Sequence, residues 1–347
     1  MHRFPYEWRL ADLKKGGHGH TVFGTFICGG GSTMGYKLAG YDHIGGVEID
    51  PKVADIYRAN HKPQCLFVED LRRFNERTDL PPELFKLDIL DGSPPCSTFS
   101  MAGSREKAWG KKKMFREGQE KQTLDDLVFV YCDTIEKLKP KVCLLENVAG
   151  LVKGNARDYC RRIVDRLRDS GYRVQVFVLN AAKMGVPQHR VRTFFIGLRE
   201  DLVQLPYLKI EVDEPLIPFG DIIDRTDTQE ALTDHERALW LRRKPSDNRF
   251  ADILLRESGR NSLFNHKIER SDRVCSTLCA TNMNYTYDLP RKLNVGERLR
   301  VSSFPLDYQA RPTDIPFLTG MCVPPVMIAH IATAIHEQWL QPLEGGE

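Results

Sequence analysis

Between Thr21 and about Arg199, short apolar runs alternate with amphipathic stretches, and this alternation constrains the fold more than any other feature of the chain. TVFGTFIC (21–28) reads as a buried strand, followed by Gly29, Gly30 and Gly31 and then by a helix-like TMGYKLAG. HIGGVEID (43–50), CLFV (65–68), LDILDGSPP (87–95) and KVCLLEN (141–147) read as further strands, and RVQVFVLN and RTFFIGLR as two more. Helices are expected from Pro51, whose fixed φ suits a first helical turn, and over 125–138 and 156–169. Strand–helix alternation predicts an α/β chain, a doubly wound and mostly parallel sheet with helices on both faces. Ligands of such sheets sit outside the carboxyl ends of the strands, so the chemistry is sought there.

After Leu198 the pattern breaks. Residues 200–236 hold eleven acids against two bases, and residues 237–273 hold ten bases against five acids. A net charge of +3 over 347 residues hides this reversal. It predicts a solvated acidic connector followed by a basic face suited to phosphate. Near the end, Met327, Ile331, Ile335 and Trp339 recur at i, i+4 spacing with Ile328 beside them, an apolar helical face that must pack on something.

Nine cysteines, with no CxxC pair, suggest neither a disulfide framework nor a zinc ribbon. His18 and His20 in KKGGHGH are read as part of a flexible linker rather than a metal site, so no metal is expected. The N-terminal MHRFPYEWRL has no apolar signal core, and no run approaches the ~18 apolar residues of a membrane span. The expectation is a cytoplasmic protein.

Four constellations carry chemistry. The glycine turn at 29–31 lets a ligand approach the backbone, and Glu48 and Asp50, at the end of the second strand, offer an acid for ribose hydroxyls. Asp70, ending the third strand, is placed for an adenine amino group. In DGSPPCSTFS (91–100), Cys96 follows two prolines at the end of the fourth strand, a thiol on a stiff turn beside a cofactor cleft. In LLENV (144–148), Glu146 projects into the same cleft, where a protonated carboxyl could donate to a ring nitrogen. In GVPQHRVRTFF (185–195), Gln188, Arg190 and Arg192 alternate and would share one face of an extended segment.

The ordered set FxxGGG, VEID, SPPC, ENV and QHRVR resembles the cytosine-5 DNA methyltransferases of prokaryotic and phage type. Downstream, Thr277-Leu278 resembles the dipeptide closing their target-recognition region, RKLNVGERLRVSSFP (291–305) their ninth motif and GMCV (320–323) their tenth. The resemblance spans about residues 21–340. It implies a Rossmann-like, S-adenosylmethionine-dependent methyltransferase sheet over 1–200, completed by 306–347, with a target-recognition domain at 201–305.

The resemblance also implies roles. Cys96 would attack C6 of a cytosine flipped out of duplex DNA, making C5 nucleophilic toward the methyl of S-adenosylmethionine. Glu146 would contact N3, Arg190 the base O2, Arg192 would support it, and Asn147 would shape the catalytic turn. Phe26 would stack on adenine. Gly29, Gly30, Gly31, Glu48, Ile49, Asp70 and Pro95 would line the cofactor. Ser97, Arg105, Lys111, Lys112, Lys113, Gln188, Arg242, Arg243 and Thr277 would meet DNA, the lysines from a basic, glycine-spaced loop after Cys96 that closes on phosphates. The partners implied are double-stranded DNA and a cognate restriction endonuclease, with the enzyme itself a monomer. Three positions depart from the family pattern: Ser97 stands where glutamine is usual, Cys28 where the glycine loop usually begins, and Met321 where asparagine is usual. Two other readings are a tRNA cytosine-5 methyltransferase, whose Cys-Phe-Thr segment is not found here, and a catalytically inactive DNA-binding relative.

Overall fold

The computed structural model describes residues 3–13, 17–95, 126–152, 156–202, 204–227, 232–263 and 265–344. They form two compact units. One comprises 13–180, 191–211 and 328–347, and the other 1–12, 181–190 and 212–327. Relative to the division at 200/201 and 305/306 drawn from the sequence, segments 1–12, 181–190 and 306–327 group with 212–305, and 201–211 groups with the sheet.

The first unit is built on a seven-stranded sheet. Its strands are β1 (Thr21–Thr25), β2 (Asp42–Glu48), β3 (Cys65–Val68), β4 (Ile89–Gly92), β5 (Val142–Val148), β6 (Tyr172–Asn180) and β7 (Val191–Arg199), in the order β3-β2-β1-β4-β5-β7-β6. Pairing is parallel from β3 through β5, while β7 runs antiparallel to both β5 and β6. The strand order reverses between β1 and β4, so the segments that follow these two strands open a crevice at the carboxyl edge. The glycine turn follows β1, and the double proline follows β4.

The helices between strands are α1 (Gly31–Leu38), α2 (Pro51–His61), α3 (Leu71–Glu76), α4 (Leu127–Leu138) and α5 (Arg157–Asp169). Asp50 caps α2 by accepting from the Lys52 and Val53 amides, with Pro51 at the first turn as the sequence predicts. Phe23, Leu90, Tyr131, Ile135, Leu145, Ile163 and Phe195 belong to the core of this unit.

The second unit contains α6 (Asp234–Leu241), α7 (Phe250–Ser258), a two-stranded sheet of β8 (Lys267–Glu269) and β9 (Asn284–Thr286), α8 (Val295–Val301) and α9 (Ile315–Met321). Helix α10 (Pro325–Ile335) starts in the second unit and ends in the first. The segment predicted as the ninth motif organises the second unit through buried charge. Arg291 forms a two-pronged ion pair with Glu297, at 2.8 and 2.6 Å, and Glu297 also accepts from the Asn294 amide in a helix-capping box. Arg298 reaches the carbonyls of Cys279 and Pro316.

Two expectations are corrected. Gly17–His20 is not a loose linker: His20 is 3% exposed, and the His18 ring stacks on His336. One helical stretch, 315–344, is apolar and long enough to cross a membrane, but 78% of its most apolar 18-residue window is buried within the protein. Ile328, Ile331, Ile335 and Trp339 are fully buried, and the Trp339 indole donates to the Pro206 carbonyl. This is the expected apolar face, acting as a core helix.

Candidate active site

At the carboxyl end of β5, Glu146 and Asn147 point to opposite faces of the sheet, as successive strand residues must. Val148 lies opposite Arg192 of β7. Glu146 is therefore a diagonal neighbour of Arg192 on the same face, within the reach of an arginine. Arg192 Nε lies 2.9 Å from Glu146 Oε1, and both side chains are largely buried. The antiparallel insertion of β7 thus delivers a cation to the acid.

Asn147 faces the other way. Its Nδ2 donates to the Pro94 carbonyl at 3.2 Å, and its Oδ1 accepts from the Val148 amide at 2.9 Å. Asn147 thereby ties the end of β5 to the turn that leads from β4 through Pro95 toward Cys96. Cys96, Ser97, Arg105, Lys111, Lys112 and Lys113 lie outside the described residues. Of the described cysteines, Cys65 is pushed up to about 11 and Cys132 to about 12 by burial. Cys143 and Cys275 are raised by burial as well, so none of these four is an activated thiol.

On the neighbouring strands the cofactor candidates cluster after β1 and β2. Both oxygens of Glu48 accept backbone amides, Cys28 N–H and Asp50 N–H, each at 2.9 Å. Burial raises the Glu48 pKa against the lowering effect of those amides. The turn after β1 is tightly wound: Phe26 has φ 56°, Cys28 φ 46° and Gly30 φ 81°. A β-carbon on Gly30 would sit 2.2 Å from His61 Nε2, so Gly30 is required by space as well as by conformation. Cys28 adopts the left-handed conformation that a glycine takes without strain, which is the physical content of its departure from the family pattern. Phe26 is half-buried against the core and Ile49 is exposed. Asp70 caps α3 through the Arg72 amide at 2.8 Å and pairs with the Arg72 guanidinium at 3.2 Å, so it carries local duties beside any ligand contact.

Sequence reasoning missed Asp91. It lies within β4, 3% exposed, and accepts from Tyr36 Oη at 3.2 Å. Burial first, and then the Glu146 charge, push its pKa up to about 7. The single acid inside the apolar strand ILDG (89–92) was the available signal.

The QHRVR segment is where expectation and structure part most. Arg192 lies in β7, which begins only at Val191, whereas Gln188 and Arg190 belong to the other unit with the rest of 181–190. Gln188, expected at DNA, is fully buried: its Nε2 donates to the Val301 carbonyl at 3.2 Å and its Oε1 accepts from the Leu278 amide at 3.1 Å. Arg190, expected at the base O2, is 1% exposed and donates to the carbonyls of Gly320, Met321 and Leu278. Only the carbonyl of Met321 takes part, which fits the tolerance of methionine there. A β-carbon on Gly320 would lie 2.3 Å from the Cys279–Ala280 peptide, so this close packing excludes any larger residue.

The recognition candidates divide similarly. Thr277 is half-buried and its hydroxyl donates to the His189 carbonyl. Arg243 is stacked on the Trp240 ring, 3.2 Å from its centroid, and donates to the Tyr287 and Trp240 carbonyls, an internal role in place of the expected open DNA contact. Arg242 is exposed and paired with Glu257 at 2.6 Å.

The sequence model of the C-5 cytosine-specific DNA methylases matches residues 22–337. The chain is 26% identical to the type II methyltransferase M1.HphI of Haemophilus parahaemolyticus, covering 91% of this chain and 86% of that one. It is also 26% identical to M.Bsp6I of a Bacillus species, over 90% and 96%. Against M.DdeI of Desulfomicrobium norvegicum the identity is 33%, over 50% of this chain and only 39% of that enzyme. A Spodoptera frugiperda DNMT2 variant shares the fold with a TM-score of 0.65 at 16% identity, over 91% of this chain and 99% of that one. The Dnmt2 methyltransferase of S. pombe has a TM-score of 0.60 at 14% identity, over 93% and 99%.

Proposed function

The chain belongs to the C-5 cytosine-specific DNA methylase family, and on that premise we propose that it methylates C5 of a cytosine flipped out of duplex DNA, through a transient bond between Cys96 and C6 of the base. The observation that carries this reading is the Glu146–Arg192 pair at the end of β5, one residue from the Asn147 contact that ties down the turn before Cys96. S-adenosylmethionine supplies an electrophilic methyl group. The residues present fit it: the Glu48 carboxylate ends β2 beside the crevice between β1 and β4, and the turn through Gly29, Gly30 and Gly31 brings backbone close to that crevice. Phe26, Ile49, Asp70 and Pro95 would complete the pocket.

The residues divide the work as follows. The Cys96 thiolate adds to C6, which breaks the C5–C6 π bond and moves its electron pair toward C5 and N3. Glu146, in its protonated form, donates to N3 and neutralises the charge that develops there, and Arg192 fixes the orientation of that carboxyl. After C5 is methylated, its proton leaves to water, the C5–C6 double bond re-forms and the thiolate is expelled. Arg192 is better placed than Arg190 to meet the polar edge of the base, because the Arg190 guanidinium is taken up by three carbonyls. Asn147, Gln188 and Arg190 are positioning residues.

The relatives named type II methyltransferases support a partner restriction endonuclease acting on the same site. The test is incubation with S-adenosylmethionine and duplex DNA containing 5-fluorocytosine, with tRNA carrying 5-fluorocytosine as the second arm. A covalent DNA complex that Cys96→Ala abolishes, together with a defined bisulfite-resistant motif, is the expected result. A complex with tRNA alone would move the substrate to RNA. No complex with either would leave an inactive DNA-binding relative.

A further inference from the structure

His18, His20 and His336 lie far from the reacting groups in the sequence and none is used by the proposed chemistry. Each offers one ring nitrogen, and these three atoms all lie within 4.8 Å of one another. His18 and His20 precede β1, and His336 begins a π-helical turn, His336–Leu340, that follows α10. Such turns are rare and concentrate at functional positions. All three residues belong to the same compact unit.

Two of the three rings keep an unengaged nitrogen. His18 Nε2 meets the Ala39 carbonyl at 3.1 Å, so that nitrogen carries the proton, and its Nδ1 accepts the His20 backbone N–H at 3.4 Å, a long bond that a metal would replace. His20 Nδ1 faces Asp88 Oδ2 and Glu344 Oε1, each at 3.7 Å. A proton on Nδ1 directed at those carboxylates leaves Nε2 as the basic atom. Among the described residues His20 Nε2 has no hydrogen-bond partner, and neither has His336 Nδ1, although both atoms are buried. A buried polar atom without a partner costs free energy unless something fills the role.

We propose that His18, His20 and His336 bind one borderline transition-metal cation of the Zn²⁺ class, which ties the segment before β1 to the turn after α10. Three imidazoles select such a metal over Mg²⁺ or Ca²⁺, which prefer oxygen. An imidazole backed by a carboxylate, as His20 is by Asp88, is the usual way a metal-bound ring is oriented. Zn–N bonds of about 2.0–2.1 Å need ligand nitrogens about 3.4 Å apart, so the site closes by roughly an ångström on loading. The stacked rings of His18 and His336, with centroids 3.9 Å apart, turn out of their stack to do so.

The test uses the tag-free full chain, stripped with chelator and dialysed against Zn²⁺ alone. Wild type is expected to retain one Zn²⁺ per chain and to melt higher with the metal than without it. His336→Gln should bind at least tenfold more weakly and show no metal-dependent shift in melting. His18→Ala, which alters the half-exposed ligand, should do the same if His336→Gln folds poorly. Co²⁺ substitution separates this site from the nine cysteines: an imidazole site gives no thiolate-to-cobalt charge-transfer band. No uptake by wild type, uptake unchanged in both variants, or a thiolate band would each overturn the proposal.

Discussion

Arg192 Nε sits 2.9 Å from Glu146 Oε1 across the diagonal of an antiparallel strand pair. The pair exists because β7 enters the sheet against the direction of its neighbours and brings its first residues to the carboxyl end of β5. Truncation by Arg192→Ala leaves Glu146 without this cation. The expected result is a loss of kcat on the order of 100-fold, with DNA affinity little changed. Single-turnover rates and equilibrium DNA titration check this. A drop confined to DNA affinity would place Arg192 on the phosphate backbone instead.

Arg190 makes a contrasting prediction although it lies only two residues away. Its guanidinium serves the carbonyls of Leu278, Gly320 and Met321. Arg190→Ala leaves these groups without a donor, and should destabilise the fold by about 2–4 kcal/mol. Arg190→Lys should recover only part of that, since one ammonium cannot reproduce a planar fork. Urea unfolding measures it. A variant of full stability and lost turnover would return Arg190 to the base.

These two arginines show where the sequence was legible and where it was not. The strands along the chain, the glycine turn and the acids closing β2 and β5 follow from local patterns, because strand period and turn chemistry are short-range properties. The alternation in QHRVR is equally local, yet it misleads. The strand starts at Val191, and Gln188 and Arg190 answer to Leu278, Val301 and Gly320, which are at least 88 residues away in the chain. Residue spacing carries no record of such partners. The same limit applies to HGH, whose third histidine lies over 300 residues downstream, and to Arg243, whose stack on Trp240 and Tyr287 cannot be told from a free basic face by composition.

Glu48 is held by two backbone amides and remains buried. Glu48→Gln keeps the shape but points an amide nitrogen at one of those donors. We expect S-adenosylmethionine affinity to fall about tenfold or more, equivalent to about 1.4 kcal/mol, with a smaller effect on DNA binding. Calorimetric titration with S-adenosylhomocysteine reads this directly. Unchanged affinity would remove Glu48 from the cofactor site.

Asp91 links the fold to pH. Burial raises its folded pKa to about 7, against an unfolded value of about 3.9. Between these values the folded chain holds a proton that the unfolded chain has released. Unfolding therefore releases protons, and the contribution of Asp91 to stability is largest below the unfolded value and falls as pH rises, levelling off above about 7. The slope is at most about 1.4 kcal/mol per pH unit across that window. Asp91→Asn cannot ionise and should abolish this component, so its melting temperature should exceed that of wild type at pH 8 by more than at pH 5. Tyr36, which donates to Asp91, would still find an acceptor in the asparagine carbonyl. Thermal melts at the two pH values check the sign, and a difference that shrinks at high pH would show that the carboxyl is ionised in the native state at neutrality.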